Sequence, residues 1–112
     1  MNKKLVYICS PLRGDYEKNA QRAREYCAWV MLNYPDVIPI APHIYFPQFL
    51  DDTNPTERSL GMDAAMDLLD MCSELWVFLD ERYEQSEGMS AEIARANERG
   101  ITVKVRRGWF VV

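Results

Sequence analysis

The sequence carries too little positive charge to attract a polynucleotide: 13 Lys and Arg stand against 17 Asp and Glu, a formal net charge of −4 with a pI near 5.0. No sequence-wide positive field exists to draw in phosphates, so a nucleic acid polymer is disfavoured as a partner. The basic runs, Lys3 with Lys4 and Lys104, Arg106 and Arg107, are short and close to the termini, and read as solvated strand ends. Cysteine is scarce too. Cys9, Cys27 and Cys72 lack CxxC spacing, which suggests neither a disulfide framework nor a zinc site and fits a reducing, cytoplasmic setting. With a single histidine, His43, and no cysteine or acidic cluster beside it, a protein-built metal site is not expected, and no cofactor is implied. Long apolar runs are also missing. The one after Lys4 is too short for a signal segment or a membrane span, so no membrane partner is expected. No internal repeat or low-complexity segment is present.

What the sequence does hold is core material: 48% apolar residues, 12% of all residues aromatic, over 112 positions, enough for one domain spanning 1–112. Leu5 to Cys9 is a run of β-formers ended by Ser10-Pro11 and reads as a buried strand. From Glu17 to Asn33, Ala20, Ala23, Cys27, Val30 and Met31 recur at spacings of three and four, which predicts an amphipathic helix. Val37 to Ile40 is a second strand whose Pro39 suits an edge. A long proline-bearing connection follows, with a helical turn expected around Phe46 to Leu50. Asn54-Pro55 caps a helix running to about Met71, with Leu60, Ala64, Leu68 and Met71 as its expected buried stripe. Glu74 to Leu79 is the clearest strand. A polar loop from Asp80 to Glu87, a helix from Gly88 to Arg99 closed by Gly100, and a strand from Ile101 to Val105 complete the chain.

Strands alternating with helices imply parallel pairing through right-handed crossovers. The expected fold is α/β: a flavodoxin-like, Rossmann-like three-layer sandwich on four mainly parallel strands, with Trp109 to Val112 a candidate fifth. Ligands in such sheets bind beyond the carboxyl ends of the strands, where strand order reverses. That rule selects the loops after the first and third strands.

The first loop, Ser10 to Asp15, offers a hydroxyl, a glycine permitting close backbone approach, and Arg13, which can hold a phosphate or carboxylate through two bonds. It lacks the glycines of a dinucleotide motif and the lysine of a P-loop. Arg13 pairing with Asp15 or Glu17 is the alternative. In the second region, Ser86, Gly88 and Glu92 place a carboxylate in the expected first turn of a helix, where the dipole favours the ionised form. Such a carboxylate suits attack at an anomeric carbon; a glutamate that only complements the dipole is the bland alternative. Tyr7 could hold that carboxylate's rotamer, or be an ordinary strand tyrosine. Asp63 and Asp67, one turn apart, could present an acid to the cleft or face solvent. His43 could be a satisfied loop residue or a base contact. Trp29, Trp76 and Trp109 read as core or interface aromatics, and the trio Met62, Met66 and Met71 as core.

Tyr-Ile-Cys-Ser-Pro-Leu-Arg-Gly-Asp at 7 to 15, Ile-Pro-Ile-Ala-Pro-His at 38 to 43 and Phe-Pro-Gln-Phe-Leu-Asp-Asp at 46 to 52 carry a family resemblance. With Glu-Leu-Trp-Val-Phe at 74 to 78 and Ser-Glu-Gly-Met-Ser-Ala-Glu-Ile at 86 to 93, the chain resembles the nucleoside 2-deoxyribosyltransferase-like superfamily, in particular its small uncharacterised DUF4406/DUF7768-type domains. The first loop is also similar to that of 2'-deoxynucleoside 5'-phosphate N-hydrolases. The resemblance implies cleavage or transfer at an N-glycosidic bond of a nucleoside or its 5'-monophosphate, through a covalent intermediate on Glu92, with Tyr7 orienting it. It implies substrate and phosphate contacts at Ser10, Pro11, Arg13 and Gly14, at His43, and at Ser86, Gly88 and Met89. The family's general acid is expected in the helix before the third strand. The count falls near Ala65 or Met66, between Asp63 and Asp67. A homodimer or larger homo-oligomer is implied as well. A non-catalytic nucleotide or nucleotide-sugar sensor is the alternative reading, and a purely structural domain a third.

Overall fold

The structure, a computed structural model, describes residues 2–79 and 87–107. Its elements are β1 (Lys4–Cys9), α1 (Tyr16–Asn33), β2 (Val37–Ile40), α2 (Pro42–Tyr45), a 3₁₀ turn at Phe46–Gln48, α3 (Pro55–Asp70), β3 (Glu74–Leu79), α4 (Glu87–Glu98) and β4 (Thr102–Arg107). The four strands form one sheet in the order β2-β1-β3-β4, every pairing parallel. Each expected strand is present. Pro39 lies on the edge strand β2, where its missing N–H breaks no interior ladder. The candidate fifth strand at Trp109 to Val112 and most of the loop from Asp80 lie outside the described residues.

Alternation along β1 divides the core in two. Val6 and Ile8 face α1 and pack with Tyr26, Val30, Trp76 and Phe78; Tyr7 and Cys9 face α3 and α4 and pack with Leu69, Leu75, Val77 and Met89. Three layers result. Over β4 the α1 side is closed by cations: the Arg106 guanidinium stacks 4.6 Å from the Trp76 ring and also meets Trp29 and Tyr34. At the amino edge Glu74 accepts from Lys4 at 2.6 Å, Lys104 at 3.0 Å and the Trp76 indole at 2.9 Å.

Two expected stripes need correction. On α1 Met31 is 56% exposed, and the residues actually buried include Asn19 and Tyr26. On α3 Leu60, Met62 and Met71 are largely exposed, while Leu69 is buried and Met66 packs on the core. The helix is rotated from the predicted face: Leu69 and Met66 meet the cluster formed by β1, β3 and α4. Its outer face therefore carries apolar residues that the chain itself does not cover.

α3 starts where the sequence places it, with the Asn54 side chain accepting from the amides of Thr56 and Glu57 and Pro55 in the first turn. α1 starts at an Asp15 cap, immediately after Gly14, whose φ of 99° requires a residue without Cβ. The buried Asn19 amide reaches back from α1 to the carbonyls of Leu12 and Arg13, both at 3.1 Å, and so fixes the loop after β1.

Candidate active site

Strand order reverses between β1 and β3, and a cleft of about 420 Å³ opens above that point. Its floor is made by a carboxylate. Glu92 projects from the second turn of α4 onto β1, where the Tyr7 hydroxyl donates to its Oε2 and the Cys9 thiol, at 3.5 Å, donates to its Oε1. Both oxygens are thus held. Tyr7 and Cys9 are two residues apart in an extended strand, which is why they share a face and reach the same carboxylate.

Burial dominates the electrostatics. It pushes Glu92 up to about 7, against the two hydrogen bonds, which favour the ionised form. The sequence reading expected the helix dipole to favour that form; here α4 begins at Glu87, so Glu92 lies beyond the first turn and desolvation wins. Burial, then the neighbouring Glu92, pushes both the Tyr7 phenol and the Cys9 thiol well above their ordinary values. Both therefore remain protonated donors at neutral pH.

One side of the cleft carries a second buried pair, Ser10 Oγ and His43 Nε2, 2.7 Å apart. Ser10 directly follows β1 and His43 sits in the short helix α2, so the bond ties the first loop to the segment following β2. Desolvation pushes His43 down to about 4, which leaves a neutral imidazole with one donor and one acceptor nitrogen. At the mouth, Arg13 meets Asp52 at 3.4 Å, in place of the Asp15 or Glu17 pairing considered from sequence. The opposite wall is the face of α3 bearing Arg58, Gly61, Ala65 and Met66, with Phe46 and Leu50 packed beside it.

Of the residues singled out in the sequence, Tyr7, Ser10, Arg13, His43, Gly88, Met89 and Glu92 line this one cleft, Met89 buried and Arg13 exposed. Pro11, half-buried, and Gly14 lie in the adjoining loop without lining it. Asp63 and Asp67 are exposed on α3 and are not among the lining residues; at their level the helix turns Ala65 and Met66 to the cleft. Ser86 lies outside the described residues. Cys9, Glu57 and Arg58 belong to the site and were missed. The two-residue period from Tyr7 points to Cys9, and the helical spacing from Ala65 back through Gly61 points to Arg58. Among the described residues no group of three or more His, Cys, Asp or Glu side chains could hold a metal ion. No helix of the described residues is long and apolar enough to cross a membrane.

The fold is similar to that of 2-deoxyribosyltransferases of solved structure. The 2-deoxyribosyltransferase of Bacillus psychrosaccharolyticus superposes with a TM-score of 0.68 at 11% identity, over 96% of this chain and 76% of that one. The 2-deoxyribosyltransferase of Leishmania mexicana gives 0.67 at 16% identity, over 93% of this chain and 64% of that one, so this chain spans less than two thirds of that enzyme. At these identities the likeness is one of fold. Among curated proteins none matches the sequence. The profile of the domain of unknown function DUF7768 matches residues 4–106, nearly the whole chain, and the chain accordingly belongs to the DUF7768 family.

Proposed function

We propose that this domain cleaves, or transfers across, the N-glycosidic bond of a nucleoside or its 5'-monophosphate. The observation that carries this reading is the buried Glu92 carboxylate at the cleft floor, with one oxygen on Tyr7 and the other on Cys9. A carboxylate so fixed is oriented for in-line attack and loses little freedom on reaching the transition state. A Glu92 oxygen bonds to the anomeric carbon as the carbon–nitrogen bond breaks. The departing base keeps that electron pair and takes up a proton from water, a proton restored when the attacking water or acceptor base gives up its own. Water, or a second base, then attacks the glycosyl ester from the opposite face and frees Glu92, giving hydrolysis or exchange with net retention. The shared fold with 2-deoxyribosyltransferases supports the same reading.

Ser10 and His43 flank the sugar and base in this scheme, and Arg13 with the start of α4 at Gly88 meets the 5' end. We also propose a homo-oligomer, supported by the exposed apolar side chains of Tyr45, Phe49, Leu60 and Met62 on the segments that line the cleft.

The test is chromatographic. Free base is measured from deoxynucleosides and their 5'-monophosphates, with and without an acceptor base, for wild type and Glu92→Ala. Release that vanishes in the variant supports the proposal. Nucleotide binding with no release from any substrate would leave a nucleotide sensor in its place.

A further inference from the structure

The cleft wall on α3 carries two charged side chains that the proposed chemistry does not use. Glu57 and Arg58 are neighbours in the first turns of the helix, both half-buried and both lining the cleft. The Glu57 Oε1 accepts from the Asp51 amide at 3.1 Å, which fixes the carboxylate; no partner for its other oxygen is found among the described residues. For the Arg58 guanidinium no hydrogen bond or ion pair is found among the described residues either, whereas Arg13 across the mouth is matched by Asp52. The wall therefore presents, on adjacent residues of α3, a fork of donors with no partner among the described residues and an anchored acceptor.

We infer that Glu57 and Arg58 read the far edge of a 6-oxopurine base, guanine above all. The inference rests on the glycosidic reading above and names its substrate class. A phosphate suits Arg58 poorly, because the Glu57 carboxylate lines the same wall and repels an anion. A neutral ring edge with an acceptor next to donors complements both at once. Guanine supplies that edge: O6 and N7 accept the arginine fork, while N1–H and the 2-amino group donate to the carboxylate. Adenine presents its amino group to Arg58 and an unprotonated N1 to Glu57, so like meets like at each position.

Reach selects purine over pyrimidine. Arg58 stands two helical turns, about 12 Å along the axis, from Met66, which packs on the cluster containing Tyr7. A sugar over Glu92 needs a long base to approach the Arg58 side chain. Between the two levels α3 presents Gly61 and Ala65, side chains small enough for a flat ring to lie against the helix, with the partly exposed Met62 beside them.

The experiment is calorimetric titration with the 5'-monophosphates of deoxyguanosine, deoxyinosine, deoxyadenosine and thymidine, in a Glu92→Ala background that prevents turnover. Deoxyguanosine monophosphate is expected to bind about tenfold or more tightly than the adenosine and thymidine ligands. Arg58→Ala abolishes that preference, Arg58→Lys keeps charge without the fork and lowers it, and Glu57→Ala weakens the guanosine ligand more than the inosine one. Circular dichroism confirms that each variant is folded. Equal affinity for all four ligands, or tighter binding of thymidine monophosphate, overturns the inference and leaves the glycosidic reading standing. So does an Arg58→Ala loss that is uniform across bases and disappears with unphosphorylated nucleosides, which would make Arg58 a phosphate contact. If no nucleotide or nucleoside binds at all, both fall together.

Discussion

The Cys9 sulfur lies 3.5 Å from the Glu92 carboxylate oxygen that Tyr7 does not hold. The proposed nucleophile is thus gripped from two sides by donors on one strand. Each grip favours the charged form, while burial opposes it and sets the pKa near 7. The rate of base release is therefore expected to rise with pH through about 7 as Glu92 ionises. Removing a donor moves that limb upward. Cys9→Ala shifts it modestly, and Tyr7→Phe shifts it further and slows release by about a hundredfold, since the carboxylate also loses its rotamer. A pH–rate series of kcat for the three proteins measures this; an unmoved limb in Tyr7→Phe refutes the assignment.

The same shift sets a sign for stability. Glu92 binds its proton more tightly folded than unfolded, so its contribution favours the fold below the ordinary glutamate value of 4.5 and is lost as pH rises through about 7. Glu92→Gln is expected to flatten the decline in urea-unfolding stability between pH 5 and 8. A wild-type profile already flat there counts against the buried carboxylate.

Glu74 runs the other way. Burial raises its pKa, but the hydrogen bonds from Lys4, Trp76 and Lys104 outweigh it and hold the carboxyl at about 2. Its stabilising contribution is full above 4.5 and disappears as pH falls toward about 2. Glu74→Gln is expected to cost roughly 2 kcal/mol at pH 7, the scale of a charge-assisted hydrogen bond. The difference from wild type should shrink at pH 3, which denaturant titrations at the two pH values measure directly.

His43 should stay neutral through the physiological range, with an NMR titration midpoint near 4 set by desolvation. Ser10→Ala removes its 2.7 Å partner, frees the ring and admits water. The midpoint is then expected to rise toward the ordinary histidine value, and KM to increase more than kcat falls. A midpoint that stays at 6 or above in the wild type contradicts the buried pair.

Gly61 is a glycine in the interior of α3 whose missing Cβ would sit 3.4 Å from Leu50 Cδ1 and 3.7 Å from the Phe46 Cβ. A methyl fits there in ordinary contact. Gly61→Ala is expected to raise stability by roughly 0.5–1 kcal/mol through helix propensity, and Gly61→Leu to lower it by pushing the 46–50 segment outward. Thermal melts of the two variants give the order.

Where one physical cue decides, the sequence was a sufficient guide. Short apolar runs of β-formers located β1 and β3, proline placed β2 at an edge, and Asn54-Pro55 fixed the start of α3. Tyr7, Ser10, His43 and Glu92 were legible because each lies at, or just beyond, the carboxyl edge of the sheet. What escaped depends on how elements rotate against one another. On α3 it is Leu69 and Met66 that meet the core, so a stripe drawn through Leu60 and Met71 misplaced the buried face, and with it the wall bearing Arg58. The titration of Glu92 escaped for a similar reason: helix position suggests a charged group, and only packing reveals how little water reaches it.

The hydroxyl of Tyr7 and the carboxylate it holds are 85 residues apart, and the remaining cleft residues come from the segments between them. No fragment of the chain contains a usable part of this site. Until β3 has docked beside β1 and α4 has folded back over both, the carboxylate has neither its two donors nor its dry surroundings. Catalysis is therefore expected to appear only at the last stage of refolding, in step with the final loss of exposed core and never ahead of it. Turnover then serves as a stopwatch for completion of the sheet.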